Sequence, residues 1–188
     1  MSEKRKQIID AAVRLFHRDG FWNTSTASVA KEAGIAAGTL FNYFATKSDL
    51  IDQVYIALKQ DLATAVSVDF PCDAGIAQQT RELWSRFFRW HLERPTEAAL
   101  MKQLRISELV SSDVVALQNE NFSFALDLIR RGIEEGHLAD LPLDYIATFT
   151  EASLEAAIAH ARQIGVEPQN SAAIEDMAFA VYWRAISR

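Results

Sequence analysis

The chain has 188 residues, of which 49% are hydrophobic and 23% are charged, and its net charge is −6. This composition supplies a buried core and excludes general disorder, while 7 glycines and 4 prolines are too few for a fold of many β-strands. No window approaches roughly 18 uninterrupted apolar residues, so a membrane-spanning helix is excluded and no membrane contact is expected.

The spacing of apolar residues predicts about nine helices and no strands. In the first helix, Ile8, Ala12, Leu15 and Phe16 recur at helical spacing, and Gly20 ends it. Either Ser25 or Thr26 caps the second helix, and the best linker candidate is the stretch 67–73. The predicted helices span residues 7–19, 26–33, 37–44, 48–66, 74–93, 96–109, 112–135, 143–164 and 171–187.

Residues 26–45 have the spacing of a helix-turn-helix. Gly34 lies at the turn, where a positive φ favours glycine, and Ala30 lies where the two helices approach most closely. The residues expected to form the shared core are Val29, Ala33, Ile35, Leu40 and Tyr43. The alternative is an ordinary helical hairpin, which the preceding basic helix and the short second helix disfavour.

Charge is unevenly distributed along the chain. Residues 1–48 carry a net charge of +3, whereas the other 140 residues carry −9. A basic segment in an acidic protein is suited to a polyanionic partner such as DNA. A solvated surface with uneven charge and no partner is the alternative.

The stretch from Ile8 to Leu50 resembles the DNA-binding domain of the TetR family of transcriptional regulators, and the run from Gly38 to Phe44 followed by Lys47 carries most of the resemblance. The resemblance implies a homodimer that binds a palindromic double-stranded DNA operator, usually as a repressor, and releases it on binding a small molecule. We therefore expect an all-α protein. A three-helix helix-turn-helix DNA-binding domain would span residues 1–48, and a helical ligand-binding and dimerisation domain residues 49–188.

The resemblance also assigns DNA contacts to six residues. Three of them match positions at which the family contacts phosphates: Thr26, Tyr43 and Lys47. Three others lie on the groove-facing side of the recognition helix, the second helix of the motif: Ala37, Thr39 and Asn42. For Asn42, a solvated helix residue is the alternative.

Two residues depart from the family pattern. Phe41 replaces the usual Tyr, which removes a hydroxyl group that could reach DNA. Ala36 replaces a frequent Ser, which removes a helix cap worth about 1 kcal/mol. Both changes make the recognition surface unusually apolar, so contacts to thymine methyl groups and indirect readout gain weight over hydrogen bonding.

The last two predicted helices suggest a dimer interface. The run from Met177 to Trp183 is apolar throughout, and a helix that is apolar all round must be covered all round. The preceding helix is rich in alanine, which permits close helix approach. Together they predict a four-helix bundle formed by two subunits, with four interface residues: Ala152, Ala156, Phe179 and Val181. The alternative is that both helices close a monomeric core.

A small-molecule pocket is predicted from helix order and not from a motif. An aromatic stripe at helical spacing begins at Trp84, and pockets between helices are mostly apolar with a few polar groups. The candidate lining residues are Trp84, Phe87, Phe88, His91, Met101, Arg105, Glu108, Asn121, Phe122 and Phe149. For each of them, a plain core role is the alternative.

Motifs for catalysis, cofactors and metals are missing from the sequence. The four histidines are scattered, and Cys72 has no partner nearby, which suits a reducing cytoplasm. We therefore expect a cytoplasmic protein that is not an enzyme and that needs neither cofactor nor metal. Two alternatives stay open: a regulator that activates or responds to a protein partner, and a helical ligand-binding or scaffolding module with only weak nucleic-acid binding.

Overall fold

A computed structural model describes residues 2–188, and this part of the chain is helical with one isolated β-bridge between Leu138 and Ser187. The predicted all-α fold is confirmed. The helices are α1 (Glu3–Asp19), α2 (Thr26–Glu32), α3 (Ala37–Phe41), α4 (Lys47–Ser67), α5 (Ile76–Glu93), α6 (Pro95–Ile106), α7 (Ser112–Glu120), α8 (Ser123–Glu134), α9 (Leu143–Gln163) and α10 (Ala172–Ile186), with a 3-10 turn at Pro168–Asn170. Within residues 2–188, none of the helices is long and apolar enough to cross a membrane.

The helices form two compact units. Unit 1 contains residues 2–61 and 94–120, and in it α1 packs against α2 and α6. The buried side chains of Phe16, Leu40 and Phe44 share one apolar core with Leu100 and Leu104 of α6. The packing of unit 1 therefore joins the N-terminal helices to a later segment of the chain. The division of functions at residue 48 stays a prediction.

Unit 2 contains residues 62–93 and 121–188. In it, α5 packs against α8, α9 and α10, and α10 packs along α9. The buried side chains of unit 2 include Trp84 and Phe88 of α5, Ile146 of α9 and Tyr182 of α10. This central position of α5 follows from its buried apolar face, which continues over five turns.

The predicted helix over residues 112–135 is wrong, because the structure has two helices there, α7 and α8. Phe122 lies between them with φ −113° and ψ 11°, outside the helical region, and its ring packs 6.0 Å from that of Phe87. The flanking Asn121 and Ser123 are residues whose short polar side chains favour local hydrogen bonds over helix continuation. Residues 2–188 consequently contain ten α-helices where about nine were predicted.

Candidate nucleic-acid interface

The first helix of the motif, α2, begins with a reciprocal pair of serines. The Ser28 N–H donates to Ser25 Oγ and the Ser25 N–H donates to Ser28 Oγ, both at 3.0 Å. Ser25 is therefore the cap, and Thr26 is the first helical residue, half-buried. Free backbone N–H groups at a helix start are donors. A phosphate contact by Thr26 stays a prediction.

The turn between α2 and α3 is fixed by one glycine and by backbone hydrogen bonds. Gly34 has φ 68°, a conformation that L-residues with a Cβ rarely adopt, as the sequence predicted. The Ile35 N–H donates to the Ala30 carbonyl at 3.0 Å, which closes the end of α2. Ala30 and Val29 are fully buried beneath this turn, so α3 is held on the core of unit 1.

The recognition helix α3 is shorter than predicted. It ends at Phe41, and the Asn42 and Tyr43 N–H groups then donate to carbonyls three residues earlier, at 3.2 and 2.9 Å. This tighter turn brings Phe44 into the core, where its side chain is fully buried. As expected from the sequence, Ala36 provides no side-chain cap at the helix start.

The predicted base-reading side chains lie on the outer part of α3. Ala37 and Asn42 are exposed and Thr39 is half-buried, whereas Leu40 between them is fully buried. Phe41 also leaves half of its surface (50%) exposed. This segment buries Leu40 and leaves the other four side chains exposed or half-buried, so it can present them to a major groove.

Lys47 is the first residue of α4, which starts with its own capping pair. The Asp49 N–H donates to Thr46 Oγ1 at 3.0 Å, and the Ala45 N–H donates to Asp49 Oδ2 at 2.9 Å. The Lys47 Nζ donates to the Trp22 carbonyl at 3.4 Å, so the ammonium group is held beside the loop before α2. Tyr43, the other predicted phosphate contact, is half-buried against the core of unit 1.

Trp22 is a surface residue that the sequence pattern did not single out. Its side chain is 70% exposed, and its ring lies 5.6 Å from that of Phe21. The sequence feature that could have identified it is the position of a tryptophan in a short loop directly before the helix-turn-helix, where no core residue is expected.

In unit 2, the predicted aromatic stripe of α5 is buried in a ring cluster. Trp84 and Phe88 stack at 5.5 Å, and Trp84 also contacts Tyr182 at 6.3 Å. Phe149 stacks on Tyr182 at 6.1 Å, so these rings form a continuous row. Phe87 faces Phe122 beside it. Trp84, Phe88 and Phe149 thus belong to one row of rings, and Phe87 and Phe122 pair with each other. A role of these residues in ligand binding stays a prediction.

Three polar groups in this ring cluster were not predicted. The Trp84 Nε1–H donates to Ser153 Oγ at 3.2 Å, and Thr150 Oγ1 lies 2.8 Å from Tyr182 Oη. Burial raises the pKa of Tyr182, so its hydroxyl stays protonated and available as a donor. The sequence feature that could have indicated Thr150 and Ser153 is their i, i+3 spacing, which places both side chains on one face of α9.

His91 lies one helical turn beyond Phe87 and Phe88 on α5. Its Nδ1 donates to the Phe87 carbonyl at 2.8 Å, and burial lowers the pKa of the imidazole. The side chains that face it carry charge of both signs: Arg162, Glu151 and Glu155, all from α9. His91 is therefore held as a neutral hydrogen-bond donor in unit 2.

The remaining predicted pocket residues are Asn121, Met101, Arg105 and Glu108. Asn121 is an exposed residue of unit 2, just before α8. Met101 belongs to unit 1 and is half-buried against its core, and Arg105 and Glu108 are exposed residues of the same unit. A contribution of these four residues to a ligand site stays a prediction.

The predicted interface residues fall into two groups. Ala152 and Ala156 are exposed on α9, and Val181 is 63% exposed on α10. Phe179 is instead buried within the protomer at 7% exposure, with its ring 5.9 Å from Trp84. Its side chain is thus occupied in the core of unit 2.

Known proteins are similar to this one both in the helix-turn-helix motif and in the fold of the full chain. Residues 8–54 match the family model described as bacterial regulatory proteins, tetR family. The full chain is similar to a solved structure described as a tetR family transcription regulator from Shewanella sp. PV-4, with 29% identity, a TM-score of 0.87 and complete coverage of both chains. These matches support a TetR family transcriptional regulator.

Other TetR-family matches agree. A TetR-family structure from Haemophilus influenzae has 26% identity and a TM-score of 0.78, covering 99% of this chain and 97% of that one. An uncharacterized HTH-type transcriptional regulator of Haemophilus influenzae is 32% identical over 52% of this chain, and the fatty acid metabolism regulator of Bacillus subtilis is 38% identical over 29%. The chain spans 52% and 30% of the lengths of these two curated relatives.

Proposed function

We propose that this protein is a dimeric transcriptional regulator that binds a palindromic DNA operator, represses from it, and leaves it when a small molecule binds to unit 2. Such a protein acts in the cytoplasm, where bacterial DNA lies. The observation that carries the proposal is the outward face of α3, with exposed Ala37 and Asn42 and half-buried Thr39, supported by the buried core of unit 1.

The arrangement around α3 suits a DNA duplex. Side chains near base edges specify sequence, while contacts to phosphates fix the register. The outward residues of α3 provide the first kind of contact, and Thr26, Tyr43 and Lys47 at the neighbouring helix ends provide the second. The net charge of +3 over residues 1–48 favours the approach of a polyanion.

The dimer is supported by exposed apolar side chains on two neighbouring helices. On α9, Tyr145 is 58% exposed and shares a face with exposed Ala152 and Ala156. On α10, Met177 and Val181 follow each other at one helical turn, at 51% and 63% exposure. Because α9 and α10 pack together, two such pairs form a four-helix bundle that covers these side chains.

The effector would act on unit 2, where the aromatic row of Trp84, Phe88, Tyr182 and Phe149 provides apolar surface with a few polar groups. Such a ligand shifts operator binding only by its differential affinity for the two states of the protein. Within residues 2–188, the chain passes between the units three times, and only at residues 61–62 does it do so inside a continuous helix, α4. We propose that movement of α4 carries the signal by changing the separation of the recognition helices.

Selection of duplexes from a random pool tests the proposal. We expect an enriched palindrome whose half-site centres lie about 34 Å apart, one turn of B-DNA, bound by a dimer. Footprinting upstream of the protein's own gene should then find a matching site. The double variant Thr39→Ala with Asn42→Ala should lose sequence preference, while the control Gln163→Ala, exposed on α9, should retain it.

Enrichment of no sequence, together with weak and unspecific binding, would instead favour a helical ligand-binding or scaffolding module. A selected palindrome that increases transcription from an adjacent promoter would keep the DNA-binding function and replace repression by activation.

A further inference from the structure

Trp22 presents a large apolar surface of unit 1 to solvent. At 70% it is the most exposed large hydrophobic residue among those described. Fully exposed aromatic rings are costly to hydrate, so one kept at the surface beside a functional site is a candidate contact. Phe21, the neighbouring ring, is half-buried in the core and anchors the loop that carries Trp22.

The surroundings of Trp22 identify the kind of partner. The Lys47 Nζ donates to the Trp22 carbonyl at 3.4 Å, which places the indole loop beside the predicted phosphate contact. The nearest acidic residue in the sequence, Asp19, is neutralised by Arg18 through two hydrogen bonds of 2.8 Å. The loop of residues 20–25 itself contains no carboxylate, so little negative charge near Trp22 repels an anion.

We propose that the Trp22 indole packs on the deoxyribose-phosphate backbone of operator DNA, next to the phosphate bound by Lys47, and donates its Nε1–H to a phosphate oxygen. This inference rests on the proposed DNA binding and adds a residue to it. An indole N–H is a donor only, and a phosphate oxygen is an acceptor only, so the two match. The flat apolar ring matches the sugar edge between phosphates.

Lys47 and Trp22 act together in this proposal. An ammonium group has three donors, and one of them is used on the Trp22 carbonyl, so two are left for a phosphate. The hydrogen bond restricts the long lysine side chain before DNA arrives, which lowers the entropy lost on binding. Trp22 is thus both a positioning residue for Lys47, through its carbonyl, and a contact residue, through its ring.

Acrylamide quenching of tryptophan fluorescence tests the contact directly. The chain has four tryptophans; Trp84 and Trp90 are buried at 1% and 3% exposure, and Trp183 is half-buried. In a Trp183→Phe background, the quencher-accessible emission therefore comes from Trp22. We expect this emission to become protected when the full protein binds its selected duplex. Emission that stays equally accessible in the complex would overturn the proposal.

Affinity measurements separate the roles of the ring, the N–H group and the charge. Trp22→Ala should weaken the selected and a scrambled duplex alike, by roughly tenfold, as for removal of one hydrogen bond to a charged group. Since tryptophan is uncharged, the dependence of affinity on salt should stay unchanged. Trp22→Phe keeps an aromatic ring beside Phe21 and should lose affinity without a change in melting temperature.

Two results would contradict the proposal while leaving DNA binding intact. One is unaltered affinity of both Trp22 variants for every duplex. The other is a decrease confined to the selected sequence, since that would make Trp22 a base contact. Failure of the wild-type protein to bind any duplex would instead refute the proposed function itself.

Discussion

The indole Nε1 of Trp84 lies 3.2 Å from Ser153 Oγ, and this hydrogen bond joins the buried face of α5 to α9. Ser153 in turn donates to the Thr150 carbonyl at 2.8 Å, so its hydroxyl is oriented to accept the indole proton. The polar end of a fully buried tryptophan is thereby satisfied inside an aromatic cluster.

We expect Ser153→Ala to lower the free energy of unfolding by about 1 kcal/mol, because it leaves the buried Trp84 N–H without its acceptor. Chemical denaturation followed by circular dichroism measures the decrease. Thr148→Ala, at an exposed position of α9 outside this hydrogen bond, is the control and should cost less. Equal stability of both variants would contradict a role for this hydrogen bond.

Phe88→Ala tests whether the ring row serves a ligand or only the core. Phe88 is fully buried against Trp84, so we expect the variant to lose about 3–5 kcal/mol of stability through the cavity it leaves. Operator affinity then decreases through unfolding. Retained stability and operator affinity, with a reduced ligand response, would instead assign Phe88 to the effector site.

Lys47→Ala should weaken binding to all duplexes alike. A phosphate contact carries no sequence information, so the magnitude of the salt slope should decrease by about one for each lysine–phosphate pair that the substitution removes. Binding titrations over a range of salt concentrations provide the slope. The control is Lys31→Ala, which removes an exposed positive charge from α2. Altered base preference with an unchanged slope would be incompatible with this role.

Val181→Asp should separate the dimer without unfolding the protomer. The side chain is 63% exposed in the protomer, so the charge is costly only when a partner covers it. We expect sedimentation to show monomers and operator affinity to be abolished. Phe179→Asp is a different case, because this residue is buried and the variant should unfold. An intact Val181→Asp dimer would defeat the interface assignment.

His91 should make stability depend on pH. Because burial lowers its pKa below the usual 6.5, the unfolded chain binds the proton more readily than the folded protein. Stability therefore decreases as the pH falls below 6.5, with a slope of at most about 1.4 kcal/mol per pH unit. His91→Gln should flatten the dependence between about pH 7 and about pH 5, the range in which histidine titrates. Gln163→Ala, at an exposed and uncharged site of α9, is the control and should leave the pH dependence unchanged.

Most helices and the helix-turn-helix could be predicted from sequence, because apolar periodicity and glycine positions act over a few residues. Gly34 and the uncapped Ala36 are examples. The break at Phe122 could not, because apolar spacing continues on both sides of it and the local preference of Asn121 and Ser123 against helix is weak. Periodicity likewise shows that α6 has an apolar face, but not that Leu100 joins the core of unit 1.

The candidate site shows the same limit. Exposure of Asn42 follows from its place at the end of α3, whereas the tether between Lys47 and Trp22 joins residues 25 positions apart. A hydrogen bond from a side chain to a distant carbonyl leaves no periodic trace in the sequence.

The shared core of α1 and α6 limits how this protein can be recombined with its relatives. A chimera that takes only the first 61 residues would leave behind Leu100 and Leu104, and the grafted helices would expose the surface that these leucines cover. Exchange of DNA specificity between such regulators therefore requires transplanting α6 and α7 with the N-terminal helices, or replacing only the outward side chains of α3.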